Sequence, residues 1–170
     1  MELINLGSFL TEILICICLV CSQVGCVEST HQLDLKVIES GAFSGITNRD
    51  IQFMIISEKD NFNDVYNKIR SLELPRPSVP EIDFDQYHVL VALMGQKPTA
   101  GYSIYFDNLV LDRDNEIEVK VKFNIPPSDA VLATVVTRPY AIAIIKKGNY
   151  KKIKFVNEEG KNLKVLEVSK

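Results

Sequence analysis

The sequence predicts an α+β domain that is mainly β with a single helix, its successive antiparallel strands packed as a sandwich or an open barrel. Three observations carry that expectation. Ile117, Val119, Val121, Phe123 and Ile125 alternate with Glu118, Lys120, Lys122 and Asn124, the period-two pattern of a strand with one buried and one wet face. Only Phe62, Val65, Tyr66, Ile69 and Leu72 follow the i, i+3, i+4, i+7 spacing of an amphipathic helix. Turn-forming residues, such as those from Asp112 to Asn115, separate the remaining apolar runs at strand length.

In chain order, residues 1–26 read as an export segment and residues 27–170 as one β domain. Glu28 to Gln32 is a tether, and Leu33 to Ile38 alternates as a half-buried strand. After the loop composition "ESGAFSGITNRD", Ile51 to Ser57 is an apolar, β-rich run suited to a central strand. Ser57-Glu58-Lys59-Asp60 has the form of a capping box opening the helix, whose apolar face turns toward a sheet. "LPRPSVP" ends it, because proline cannot continue a helix. Tyr87 to Met94 is a continuous apolar strand covered on both faces. "YSIYFDNLVL" and "EIEVKVKFNI" follow as a strand pair, and "PPSDA" breaks the chain. "VLATVVTRPYAIAII" reads as one bent strand or two, interrupted at Pro139, and "KKIKFVNEEGKNLKVLEV" closes as a hairpin.

Composition narrows the function. A chain of 170 residues with 46% apolar content has room for one compact domain, and a net charge of −3 offers no basic footprint for nucleic acid. All four cysteines, Cys16, Cys18, Cys21 and Cys26, precede the domain, which leaves it neither a disulfide framework nor a thiol nucleophile. Ile13 to Val20 has the length of a signal-peptide apolar region and falls short of the ~20 residues a spanning helix needs. "QVGC" resembles a relaxed bacterial lipobox and marks Cys26 as the expected lipidation site, although Gln23 replaces the usual aliphatic residue and no Lys or Arg precedes the apolar run. A cleaved signal peptide without lipid and an uncleaved anchor are the alternatives.

No catalytic or metal constellation stands out. His88 lies among apolar strand residues and reads as packed, and no G-x-S-x-G surrounds Ser103. Glu81, Asp83 and Asp85 alternate with Ile82 and Phe84 as a solvated strand face, without the glycine-turned loop of a calcium site. "GQKPTAG" lacks the G-K-[ST] ending of a phosphate loop and leads into a strand. It reads either as a hairpin closed by Gly95 and Gly101 or as a pre-shaped contact loop, in which Pro98 holds Lys97 extended and Thr99 bonds the turn from inside. No enzyme, cofactor or metal is expected.

Two blocks, Gly95-x-Lys97-Pro98-Thr99-x-Gly101-Tyr102 and Thr137-Arg138-Pro139-Tyr140, sit in this order within "DFDQYHVLVALMGQKPTAGYSI" and "NIPPSDAVLATVVTRPYAIAIIKK". From about Ile51 to Lys147 the chain resembles the C-terminal domain of the bacterial protease-complex-subunit PrcB family. The resemblance implies an exported, often lipid-anchored protein of the cell envelope that associates with and stabilises a cell-surface subtilisin-like protease. The same blocks are similar to the N-P-T-T-G-[YF] and R-P-[WF] loops of chagasin-type inhibitors of papain-like proteases, which enter a protease cleft from one end of an immunoglobulin-like sandwich. Lys97 replaces the asparagine, Ala100 the second threonine and Tyr140 the bulkier aromatic, and that family's glycine-rich third loop has no counterpart. Both resemblances make Lys97, Pro98, Thr99, Gly101, Tyr102, Arg138, Pro139 and Tyr140 the expected partner-binding residues, with a protease as partner and the membrane reached through lipid on Cys26. Cys26→Ala is expected to move the exported protein from the detergent to the aqueous phase or to stall its processing. Unchanged partition with an intact N-terminus would refute lipidation.

Overall fold

The alternating segment forms the strand around which one of two sheets is built. The computed structural model describes residues 34–111 and 114–168. The export segment with Cys26 lies outside the described residues, as do Asp112, Arg113, Ser169 and Lys170. Eight strands and one helix follow in the order β1 (Leu35–Gly41), β2 (Gln52–Ile56), α1 (Lys59–Ile69), β3 (Tyr87–Leu93), β4 (Ser103–Leu111), β5 (Glu116–Asn124), β6 (Tyr140–Lys146), β7 (Lys152–Val156) and β8 (Asn162–Glu167). Sheet one has the order β1-β6-β3-β2 and sheet two the order β4-β5-β7-β8. The two remain separate four-stranded sheets, a sandwich and not a closed barrel.

Ile117, Val119 and Val121 of β5 are fully buried, and they face Leu90, Ala92, Ala143 and Phe155 in the core between the sheets. Phe53 stacks on Phe155 at 4.5 Å between ring centroids, so an aromatic pair joins β2 of one sheet to β7 of the other. A second apolar layer lies on the outer side of sheet one. There Phe62, Tyr66 and Ile69 of α1 cover Val89, Val91, Leu93 and Ile142. β3 and β6 are therefore buried on both faces, which is why "YHVLVALM" and "YAIAII" are continuous apolar runs with no alternation. The architecture is thus helix on sheet on sheet.

Five local expectations need correction. The ladder is not wholly antiparallel: β5 and β7 pair in parallel. Between them the chain crosses to sheet one, runs along β6 and returns, so β7 enters sheet two in the direction of β5. This pair and the covering helix also depart from an immunoglobulin-like arrangement. β2 is an edge strand, apolar because Phe53 faces one core and Ile56 the other. The helix has no capping box; Glu58 is the N-cap, without a side-chain cap bond, because Ser57 Oγ is paired with His88 Nδ1 at 2.9 Å. Leu72 lies beyond the helix and is exposed. Asp83 is no strand residue; its side chain accepts from Asp85 N–H at 2.9 Å and Gln86 Nε2 at 2.6 Å and closes a turn.

His88 is buried, bonded to Ser57 and edge-on to Tyr150. Burial, and then the Lys147 charge, hold its imidazole below the ordinary value. The unfolded chain takes up this proton below pH ~6.5 while the folded chain resists it, so the contribution to stability is full above that pH and declines as pH falls toward the folded value. Denaturant unfolding between pH 7.5 and 5 is expected to show stability falling with pH, less steeply in His88→Gln than in the native chain. Identical slopes would show that His88 does not carry the effect.

Candidate functional site

The first motif block does not close a hairpin. Residues 95–102 carry the chain from β3 in sheet one to β4 in sheet two, so they bridge one end of the sandwich. Gly95 has φ +79°, and a Cβ there would sit 2.3 Å from the Arg49 carbonyl oxygen, so both conformation and space demand glycine. Next to it Gln96 N–H donates to the Asn48 carbonyl at 2.9 Å. Gly101, at φ +90°, turns the chain again against Pro126 and Leu132, and its carbonyl accepts from Asn124 Nδ2 at 2.6 Å.

Between these turns the loop meets the second block through backbone. Lys97 N–H donates to the Thr137 carbonyl at 2.8 Å, and Thr137 N–H returns a bond to the Lys97 carbonyl at 3.0 Å. Buried Thr137 adds its hydroxyl, donating to the Thr99 carbonyl at 2.9 Å. The turn is therefore braced by Thr137, through the Thr99 carbonyl, and not by the Thr99 hydroxyl. On the opposite side, Arg138 N–H donates to the Ala42 carbonyl at 2.8 Å and its carbonyl accepts from Ser44 N–H at 3.0 Å. Pro139 has no N–H to lose, and its carbonyl accepts from Met94 N–H at 2.8 Å. The segment 137–139 is thus held on both edges, between residues 42–44 and residues 94–97.

The eight expected contact residues divide sharply. Pro98 and Gly101 are exposed, while Lys97, Thr99, Tyr102 and Arg138 are half-buried. Lys97 Nζ lies 6.0 Å from the Tyr102 ring centroid, within reach of a weak cation–π contact. Pro139 is buried, and Tyr140 is only 1% exposed. These two have no surface for a partner, which corrects their assignment. Tyr140 is instead the centre of a polar cluster under α1. Its hydroxyl donates to Glu39 Oε1 and accepts from Arg70 Nη1 at 2.5 Å. Arg70 pairs with Glu39 at 2.6 Å and with Glu73 at 2.6 Å, and Tyr66 donates to Glu39 Oε2 at 3.0 Å. Gly41 leaves room for the ring, since a Cβ there would come within 2.7 Å of Tyr140 Cε1. Burial, followed by the hydrogen bond to Glu39, pushes the Tyr66 phenol up to about 12, and the same causes raise Tyr140. Both phenols stay protonated at neutral pH and act as donors that position Glu39.

Three exposed apolar residues beside the blocks escaped the sequence reading: Phe43, at 49% exposure, and Val135 and Val136. Phe43 forms a parallel bridge with Arg138, and the two valines lead directly into Thr137. Phe43 lay in loop composition, and the valines looked like strand core, so neither carried a signal of exposure. Among the described residues no three His, Cys, Asp or Glu side chains are grouped for a metal ion, and no helix is long and apolar enough to cross a membrane.

The fold and this site define a β-sandwich domain that displays a braced loop surface at one end. Residues 88–146 match the family model described as PrcB C-terminal, so over this stretch the chain is similar to that family. The match includes both blocks and β3 to β6, and it begins at His88, later than the Ile51 suggested by resemblance. No curated protein and no solved structure was found to match the chain. The chagasin-type likeness finds no such support.

Tyr140→Phe deletes the hydroxyl shared by Glu39 and Arg70, and is expected to lower stability by about 1–3 kcal/mol in denaturant unfolding. Thr99→Ala, whose hydroxyl makes no hydrogen bond among the described residues, is expected to stay within about 0.5 kcal/mol. Equal losses would show that the two blocks are not divided between core and surface.

Proposed function

We propose that this chain is a non-enzymatic, exported and lipid-anchored accessory domain that binds and stabilises a protease at the bacterial cell surface. The surface proposed for docking is the sandwich end built from Lys97, Pro98, Thr99 and Arg138, flanked by Phe43 and Val136. One observation carries the reading: two motifs about forty residues apart in sequence are locked together by paired Lys97–Thr137 backbone bonds, which leave Pro98 exposed and Lys97 and Arg138 partly exposed beside it. A surface already ordered loses little entropy on docking, and arginine is among the residues that most often dominate interface energy. The match of residues 88–146 to the PrcB C-terminal family model supports a protease complex as the setting.

The inhibitor reading is weaker than the sequence suggested. It requires the aromatic of the R-P-aromatic block to enter a cleft, and Tyr140 is committed to Glu39 and Arg70 beneath α1. Affinity isolation of the native protein with its neighbours is expected to recover a protease. The Thr99→Ala, Arg138→Ala pair is expected to recover about tenfold less of it while melting within a few degrees of the native chain. Undiminished recovery, or a matching collapse of the fold, would remove the surface from the proposal.

A further inference from the structure

Val131 to Val136, "VLATVV", has the residues of a strand and none of its ladder. Five of the six residues are apolar, all but Thr134, yet Val131 is fully exposed and Val135 and Val136 are 38% and 47% exposed. The segment is uncharged. Its inner side is pinned: the Ala133 carbonyl accepts from Ala100 N–H at 3.1 Å and, across a tight bend at Thr134, from Val135 N–H at 3.0 Å, and Leu132 lies against Gly101. Its outer side is open. Among the described residues, the N–H and C=O groups of Leu132, Thr134 and Val136 have no backbone partner.

We infer that Val131 to Val136 is an edge to which an extended segment of the partner protein adds as a further strand, with a carboxylate side chain of that segment set against Lys97 and Arg138. The inference rests on the docking surface proposed above and names what it recognises. An uncharged, β-branched edge selects an aliphatic or threonine-rich strand, because a charged side chain laid on it would lose water without gaining a partner. The cations lie at its C-terminal end, where Lys97 is paired with Thr137 and Arg138 follows. Neither makes a salt bridge among the described residues, and Arg138 Nε is buried without a hydrogen-bond partner. An incoming carboxylate pairs with the Lys97 ammonium and the partly exposed end of the Arg138 guanidinium, not with its buried Nε, and main-chain bonds along the edge supply affinity. The sheet edges are less suited. β1 and β4 are broken by register shifts, β8 carries Lys164 and Glu167, and β2 is uncharged but has no such cation pair beside it.

The probes are fluorescent eight-residue peptides of alternating valine and threonine with one glutamate at either end, titrated into the domain. One peptide of this pair is expected to bind and to slow hydrogen exchange at the amides of Leu132, Thr134 and Val136. N-methylating alternate amides of that peptide, or making Thr134→Pro, is expected to weaken binding by about tenfold or more, since each removes main-chain donors. Replacing its glutamate by glutamine is expected to weaken binding to the native domain but not to Arg138→Gln. No binding, protection at another edge, or indifference to N-methylation would overturn the inference. So would concentration-dependent self-association that Thr134→Pro abolishes, which would assign the edge to a second copy of this chain. If Thr134→Pro fails to fold, the N-methylated peptide tests the same bonds on the unaltered domain. Native partner retained by Thr134→Pro but lost by the Thr99→Ala, Arg138→Ala pair would sink strand addition and leave the docking surface standing. Partner retained by both would sink both.

Discussion

The backbone of Thr137 to Pro139 is the constraint on which the rest of this end depends. Three consecutive residues have their main-chain groups taken from two sides, by Ala42 and Ser44 on one edge and by Met94 and Lys97 on the other. That arrangement ties the exit of β1, the exit of β3 and the entry of β6 to one short piece of chain. Proline fits at 139 because the geometry asks that residue only for a carbonyl. Glycine fits at 95 because the Arg49 carbonyl leaves no room for a Cβ. Much of what looks like a recognition motif is therefore the means of building a surface, and the recognition is left to fewer residues.

Tyr140 extends the same constraint inward. Its hydroxyl links Glu39 on β1 to Arg70 at the end of α1, so one cluster orients strand, helix and the start of β6 together. The Glu39 and Arg70 side chains keep 23% and 18% of their exposure, so solvent screens the pair and its value lies more in orientation than in raw attraction. Removal of a single member would leave the others without their hydrogen-bond partners, and such clusters specify geometry for that reason. The helix that shields sheet one is thereby fastened to the strand leaving the docking end.

The outer face of sheet two differs in surface chemistry from the end built by the two blocks. The outer face of sheet two carries cross-strand pairs of Lys122 with Asp107, Lys152 with Glu116 and Lys154 with Glu118. Exposed pairs of this kind add little stability, and they set charge beside the exposed Tyr105 and Val110, which lie opposite Lys122 and Glu118 in the β4–β5 ladder. Val131, Val135, Val136 and Phe43 form one of the exposed apolar groups, and it lies beside backbone that is already ordered.

Periodicity was enough to determine the strands and the helix by itself. The alternation of Ile117, Val119 and Val121 in β5 and the stripe Phe62, Tyr66, Ile69 are local consequences of burying one face and hold in the structure, whereas Ile125 and Leu72, the last members of each pattern, lie beyond their elements and are exposed. The double burial of β3 was legible for the same reason, since only a strand covered twice is apolar throughout. The two blocks were also legible as a pair worth singling out, through glycine, proline and arginine at fixed spacing. Tertiary structure alone decided which way each block faces. "VLATVV" has strand composition, yet pairing depends on where Ala100 and Lys97 arrive, and those come from a distant part of the chain. Ser57 looks like a cap until His88 takes its hydroxyl, and β7 runs parallel to β5 only because β6 intervenes in the other sheet. Tyr140 looks like a contact residue until Glu39 and Arg70, 101 and 70 positions away, close over it. Local pattern encodes which side of an element avoids water; which groups compete for a hydrogen bond is settled by neighbours that sequence order does not bring together.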